Sequence, residues 1–170
     1  MSLIPTEKYV PQLNFHKKTV GIYGPAGIGK STLASMLENT IVAQTEAGIE
    51  HLDVPRIVIN GWDTPMSELP SGKVGGGFMT FCKEMVTAEN PYNRICVDTF
   101  DNLCKACTEW VCKDLGINDI GDYKKFGAYH IVTSEVHRII KKLTNDTRFG
   151  LTLISHVREE EVETKTKKYK

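Results

Sequence analysis

Eight residues constrain this chain more than any others. Gly24-Pro-Ala-Gly-Ile-Gly-Lys30-Ser31 fits the spacing Gly-x4-Gly-Lys-Ser/Thr without a mismatch. The run follows Thr19-Val-Gly-Ile-Tyr23, which reads as a short buried strand. It opens Lys30 to Leu37, which reads as a helix with Leu33, Met36 and Leu37 facing inward. A strand, a glycine-rich turn and a helix in that order make a phosphate cradle. Glycines at 24, 27 and 29 let the backbone curl until successive N–H groups converge on phosphate oxygens. The positive end of the following helix adds to that field. Pro25, Ala26 and Ile28 complete the turn, Lys30 reaches the β- and γ-phosphates, Ser31 offers its hydroxyl to Mg²⁺, and Thr32 can bond the α-phosphate. The competing reading is a glycine-rich turn that only caps a helix. The cofactors expected are ATP and Mg²⁺.

The rest of the chain supports that context. Thr40 to Gln44 and Arg56 to Asn60 are β-branched runs, and Arg94-Ile-Cys-Val-Asp98 and Leu151-Thr-Leu-Ile154 are apolar strands. Helices are expected over Phe78 to Ala88, Phe100 to Leu115 (closed by Gly116) and Phe126 to Leu143. The last has Tyr129, Val132, Val136, Ile139, Ile140 and Leu143 on its apolar face. Two prolines and four glycines between Pro65 and Gly77 predict a flexible loop. Strands alternating with helices predict an α/β fold, a three-layer arrangement around a mainly parallel sheet. The organisation expected is an irregular segment over 1–16, the core over 17–157 and a charged tail over 158–170.

Composition narrows the function classes. Twenty-one basic residues balance 21 acidic ones, which argues against a binder that relies on a whole-domain positive field. The longest apolar stretches fall far short of the ~20 residues of a membrane span, and Met1 to Pro11 carries no secretory pattern. A soluble protein of the cytoplasm is expected. The five cysteines, Cys82, Cys96, Cys104, Cys107 and Cys112, are odd in number; Cys104 and Cys107 fall on the apolar face of a helix, so buried free thiols are expected.

The cradle needs an acid for the magnesium shell, and Asp98 ends a buried strand where such an acid belongs, with Asp101 as the lesser candidate. A strand-terminal Asp can equally be a helix N-cap. Glu46, just past the Thr40 to Gln44 strand, could orient the attacking water, or be an exposed turn glutamate. Ser155 and His156 end the last strand, at the edge where ligands of parallel sheets bind.

Taken together, these segments resemble the phage-encoded RecA-like P-loop ATPases linked to single-strand annealing recombination. The resemblance runs over about residues 17 to 170. It covers Thr45-Glu46-Ala-Gly48, Val97-Asp98-Thr99-Phe-Asp101-Asn-Leu103 as a Walker B strand, Asp122-Tyr123 with Gly127 and Tyr129, and Leu153-Ile-Ser155-His156. It implies a RecA-like core in which Lys30, Glu46, Asp98 and His156 are the catalytic set. Glu46 would activate water and His156 would sense the γ-phosphate. The resemblance also implies a homo-oligomer, ring or filament, in which Arg158, Lys165 or Lys167 could reach a neighbour's nucleotide. Single-stranded DNA and a phage annealing or single-strand-binding protein are the implied partners, and the host cell's cytoplasm is the implied location. The family's domain extends by at least one more strand, so the chain reads as a core cut short.

Two other functions fit the cradle. A small-molecule or nucleotide kinase would use it with several lid arginines, but Arg56, Arg94, Arg138, Arg148 and Arg158 are scattered one to a segment. A nucleotide-gated binding module would use it without turnover.

Overall fold

The computed structural model describes residues 17–123, 127–145 and 149–157. Seven strands form one sheet: β1 (Thr19–Gly24), β2 (Thr40–Gln44), β3 (Arg56–Gly61), β4 (Ser67–Glu68), β5 (Val74–Gly77), β6 (Arg94–Asp98) and β7 (Gly150–His156). Their spatial order is β1-β7-β6-β2-β3-β5-β4. All neighbours pair in parallel except β4 with β5. The helices are α1 (Lys30–Ser35), α2 (Phe78–Thr87), α3 (Phe100–Leu115) and α4 (Ala128–Asn145).

Parallel strands require crossovers, and the crossovers cover both faces of the sheet. Every residue of β6 is therefore buried. Alternation along the strands assigns the faces. Ile95 and Val97 join Ala43, Leu151 and the apolar residues of α2, α3 and α4 in the larger core. Cys96, Val42 and Ile154 pack with Ala34 of α1 in the smaller one. This is the expected α/β fold in three layers, a P-loop type of architecture. At the base of the sheet the buried Arg94 donates to the Leu151 carbonyl at 3.2 Å and to Thr152 Oγ1 at 3.0 Å, pinning β6 to β7.

Three local expectations are corrected. The first concerns α1, which ends at Ser35 and turns Leu33 and Met36 outward, 55% and 74% exposed. Lys30 must fold back into the cradle, so the inward positions become 30 and 34, four residues apart. The second concerns the stretch from Pro65 to Gly77, which contains β4 and β5 in place of a loop. Its glycines serve close packing: a Cβ on Gly76 would stand 2.5 Å from Met66 Sδ, and one on Gly77 would strike the Thr64 amide nitrogen. The third is Tyr129, which lies on the exposed side of α4, while Val132, Val136, Ile139 and Leu143 form the buried stripe. All five cysteines are free, four of them buried. No described helix is long and apolar enough to cross a membrane. The helix expected from Phe126 begins at Ala128 among the described residues, and Arg158, Lys165 and Lys167 lie outside them.

Candidate functional site

The cradle is built from backbone. β1 ends at Gly24, and the turn into α1 passes through Gly27 and Gly29 at φ 80° and 88°, a region other residues enter only under strain. Gly29 is the N-cap of α1 and brings no side chain to cap it, so the first-turn amides face outward toward whatever anion the loop holds. Lys30 is 6% exposed. Its ammonium donates to the Gly24 carbonyl at 2.9 Å and to the Pro25 carbonyl at 2.8 Å, spending two of its three hydrogens across the mouth of the loop. Ser31 follows half-buried and Thr32 exposed.

Strand register brings the other candidates to the same end of the sheet. Gly24 pairs with His156 across β1 and β7, Asp98 pairs with Ile154 on one side and with Gln44 on the other. β7 thus separates the cradle strand from the strand that carries Asp98. By alternation Asp98 shares the face of Cys96, the face that α1 covers. It is 3% exposed, and its Oδ2 has no hydrogen-bond partner. An unpaired carboxylate oxygen in that position is costly unless something bonds it.

Beyond the ends of β2 and β6 the polar side chains are stitched together. The Thr45 amide donates to the Asp98 carbonyl at 2.7 Å. Thr45 Oγ1 donates to the Thr99 carbonyl at 2.9 Å and accepts from the Thr99 amide at 2.6 Å. The Glu46 carboxylate accepts from Asn102 Nδ2 at 2.7 Å, with Thr99 Oγ1 at 3.5 Å from the same oxygen. Its other oxygen lies 3.9 Å from His156 Nδ1. The structure therefore joins Glu46 and His156, which are 110 positions apart in sequence, in one cluster. Both are about one-third exposed, as a group that meets substrate must be.

Asp101 takes a different place from the one considered for it. Its carboxylate accepts from Ser155 Oγ at 3.0 Å and from the His156 amide at 2.9 Å, clasping the end of β7 to the first turn of α3. Asp98, with an oxygen to spare, is the better magnesium candidate of the two.

The loop carrying Glu46 has its own brace. Glu50 accepts from Gln44 Nε2 at 2.9 Å and from the Gly48 amide at 2.7 Å, and Gln44 also donates to the Glu46 carbonyl at 2.8 Å. The backbone amides of Gly48 and Glu50, with Gln44 helping, hold the Glu50 carboxyl down at about 2.

Residues that sequence reading passed over are Thr45, Glu50 and Asn102 as members of this cluster. For Asn102 a signal existed: it falls in the first turn of the helix that follows Asp98, a turn bound to border the same sheet edge. For Glu50 none did, since a turn glutamate beside Gly48 looks like any solvated one.

The residues fit a magnesium–nucleoside triphosphate. Positive-φ glycines and an uncapped helix start suit phosphates, and the unpaired Asp98 oxygen suits a divalent cation. Among the described residues no group of three or more His, Cys, Asp or Glu could hold a metal alone, so an ion at Ser31 and Asp98 would draw its remaining ligands from phosphate and water.

Comparison with known families agrees in kind. The sequence model of a family described as an AAA domain matches residues 16–170. No curated protein and no solved structure gives a significant match.

Proposed function

The chain belongs to the AAA domain family, a family of nucleotide-binding ATPases, and from that premise we propose that it binds Mg-ATP in the 24–32 cradle and hydrolyses it to ADP and phosphate. The observation that carries this reading is the pairing of Gly24 with His156, whose imidazole stands 3.9 Å from Glu46. A phosphate chain lying along the cradle would end beside a carboxylate able to polarise water. Lys30 would release its loop carbonyls for the β- and γ-phosphates. Ser31 and Asp98 would hold the ion, which supplies charge neutralisation as the terminal phosphate departs. Glu46 would take the water's proton, and His156, the last residue of β7, would sense the γ-phosphate.

The finer reading couples this turnover to single-stranded DNA during phage recombination, in a homo-oligomeric ring or filament that works with an annealing or single-strand-binding protein. Its support is the run of matching segments from residue 17 onward. Phosphate release from Mg-ATP, measured with and without an oligothymidine strand, tests both levels. Release that rises with DNA supports the coupled reading, and release indifferent to DNA removes the DNA role while leaving the ATPase. Tight ATP binding with no release would favour a nucleotide-gated module, and transfer of phosphate to an added acceptor would favour a kinase.

A further inference from the structure

A carboxylate on a loop is only as well placed as its partners make it. The backbone of Glu46 is fixed by Gln44 and Glu50, but neither touches its carboxylate. That group is held from α3, where Asn102 Nδ2 donates to Oε2 at 2.7 Å while Oε1 is left facing His156 Nδ1. The amide is itself oriented. Lys105, three residues along the helix, donates from Nζ to Asn102 Oδ1 at 3.3 Å. Flipping the amide would set its oxygen against a carboxylate oxygen and its NH2 against an ammonium, so the two neighbours select one orientation.

We infer that Asn102 is a positioning residue for hydrolysis. It secures one oxygen of Glu46 to the start of α3, so that the other is presented on the cradle side, and Lys105 sets the direction of the amide. Asn102 bonds the carboxylate, so it acts through Glu46. The inference rests on the role proposed for Glu46 and adds the group through which α3 governs it.

Asn102→Asp tests this with no change of shape, replacing the donor with a second carboxylate; Asn102→Ala removes the group. Each is expected to lower kcat by about 10-fold or more while leaving KM for ATP within about 2-fold. In a Glu46→Gln background neither should lower the remaining rate further, because a residue that acts through Glu46 has nothing left to position. Equal losses in both backgrounds, or full activity in both variants, would overturn the inference. A crystal structure of Asn102→Asp at neutral pH supplies a readout independent of turnover. The Glu46 carboxylate should leave α3 there, and an unchanged carboxylate position would equally overturn the inference. If the wild-type chain releases no phosphate, the proposed function fails, and the crystal structure still decides whether Asn102 places Glu46.

Discussion

On the carboxylate side of the site, side-chain bonds tie Thr45 to the Thr99 backbone and Glu46 to Thr99 and Asn102, and a separate clasp joins Asp101 to Ser155. On the phosphate side the backbone makes the site, and the side-chain bonds that cross the loop are those of Lys30 to the Gly24 and Pro25 carbonyls. The strands differ in burial, since Asp98 ends a strand with no exposed residue whereas β1 carries Tyr23 at 77% exposure. The working groups do not follow that division: Lys30 is 6% exposed and Glu46 about one-third. Backbone amides suffice to bind an anion whose charge is already formed, and they work in any chain that can take the glycine conformations. Orienting a water is more demanding, because it needs side chains held in fixed directions. Chemistry and binding should therefore separate under mutation.

The sharpest separation is expected at Glu46. Glu46→Gln should slow phosphate release by about 100-fold or more with ATP affinity retained; equal loss of affinity by calorimetry would break the distinction between the two sides. Next comes Lys30→Ala, which removes a charge-assisted contact of about 1.5–3 kcal/mol. Titration should show ATP binding weakened by roughly 10- to 100-fold, and an unaltered Kd would take Lys30 out of the phosphate side. Gly77→Ala probes a glycine that packs and binds nothing. The added methyl meets the Thr64 amide nitrogen and the Trp62 carbonyl, both backbone, so urea unfolding should show a loss of about 1–3 kcal/mol with ATP affinity preserved in the folded fraction. Asp101→Ala unclasps Ser155 and the His156 amide, and should cost about 1–2 kcal/mol, with a larger effect on kcat than on ATP binding. The smallest effect concerns the thiols. Burial pushes Cys107 up to about 12 and raises Cys104 as well. Burial disfavours the thiolate, so at pH 8 these groups should react with a disulfide reagent more slowly than free cysteine until the chain unfolds.

The same division explains what could be read from the sequence. A cradle made of backbone announces itself through glycines at fixed spacing, so residues 24 to 32 were legible as a unit. The sheet was equally open, since buried parallel strands such as Ile95-Cys-Val are continuous apolar runs. Glu46, Asp98 and His156 could be named one at a time, from their place at strand ends. Only the family resemblance grouped them; local pattern could not, because their arrangement depends on β7 lying between β1 and β6, a matter of strand order. Two misreadings have the same root. Leu33 and Met36 look inward on a helical wheel, but tertiary demand on Lys30 rotates α1 the other way. Gly75, Gly76 and Gly77 look like a loop, but they form a strand, with Leu69 packed on Gly75, Met66 on Gly76 and the Trp62 to Thr64 backbone on Gly77.

A crystal structure of the chain with Mg²⁺ and a non-hydrolysable ATP analogue tests most directly whether the two sides form one centre. The triphosphate is expected along residues 24–32, with Lys30 Nζ moved from the loop carbonyls onto the phosphates, the ion between Ser31 and Asp98, and the γ-phosphate facing Glu46 and His156. A nucleotide bound elsewhere, or one whose γ-phosphate points away from Glu46 and His156, would contradict it.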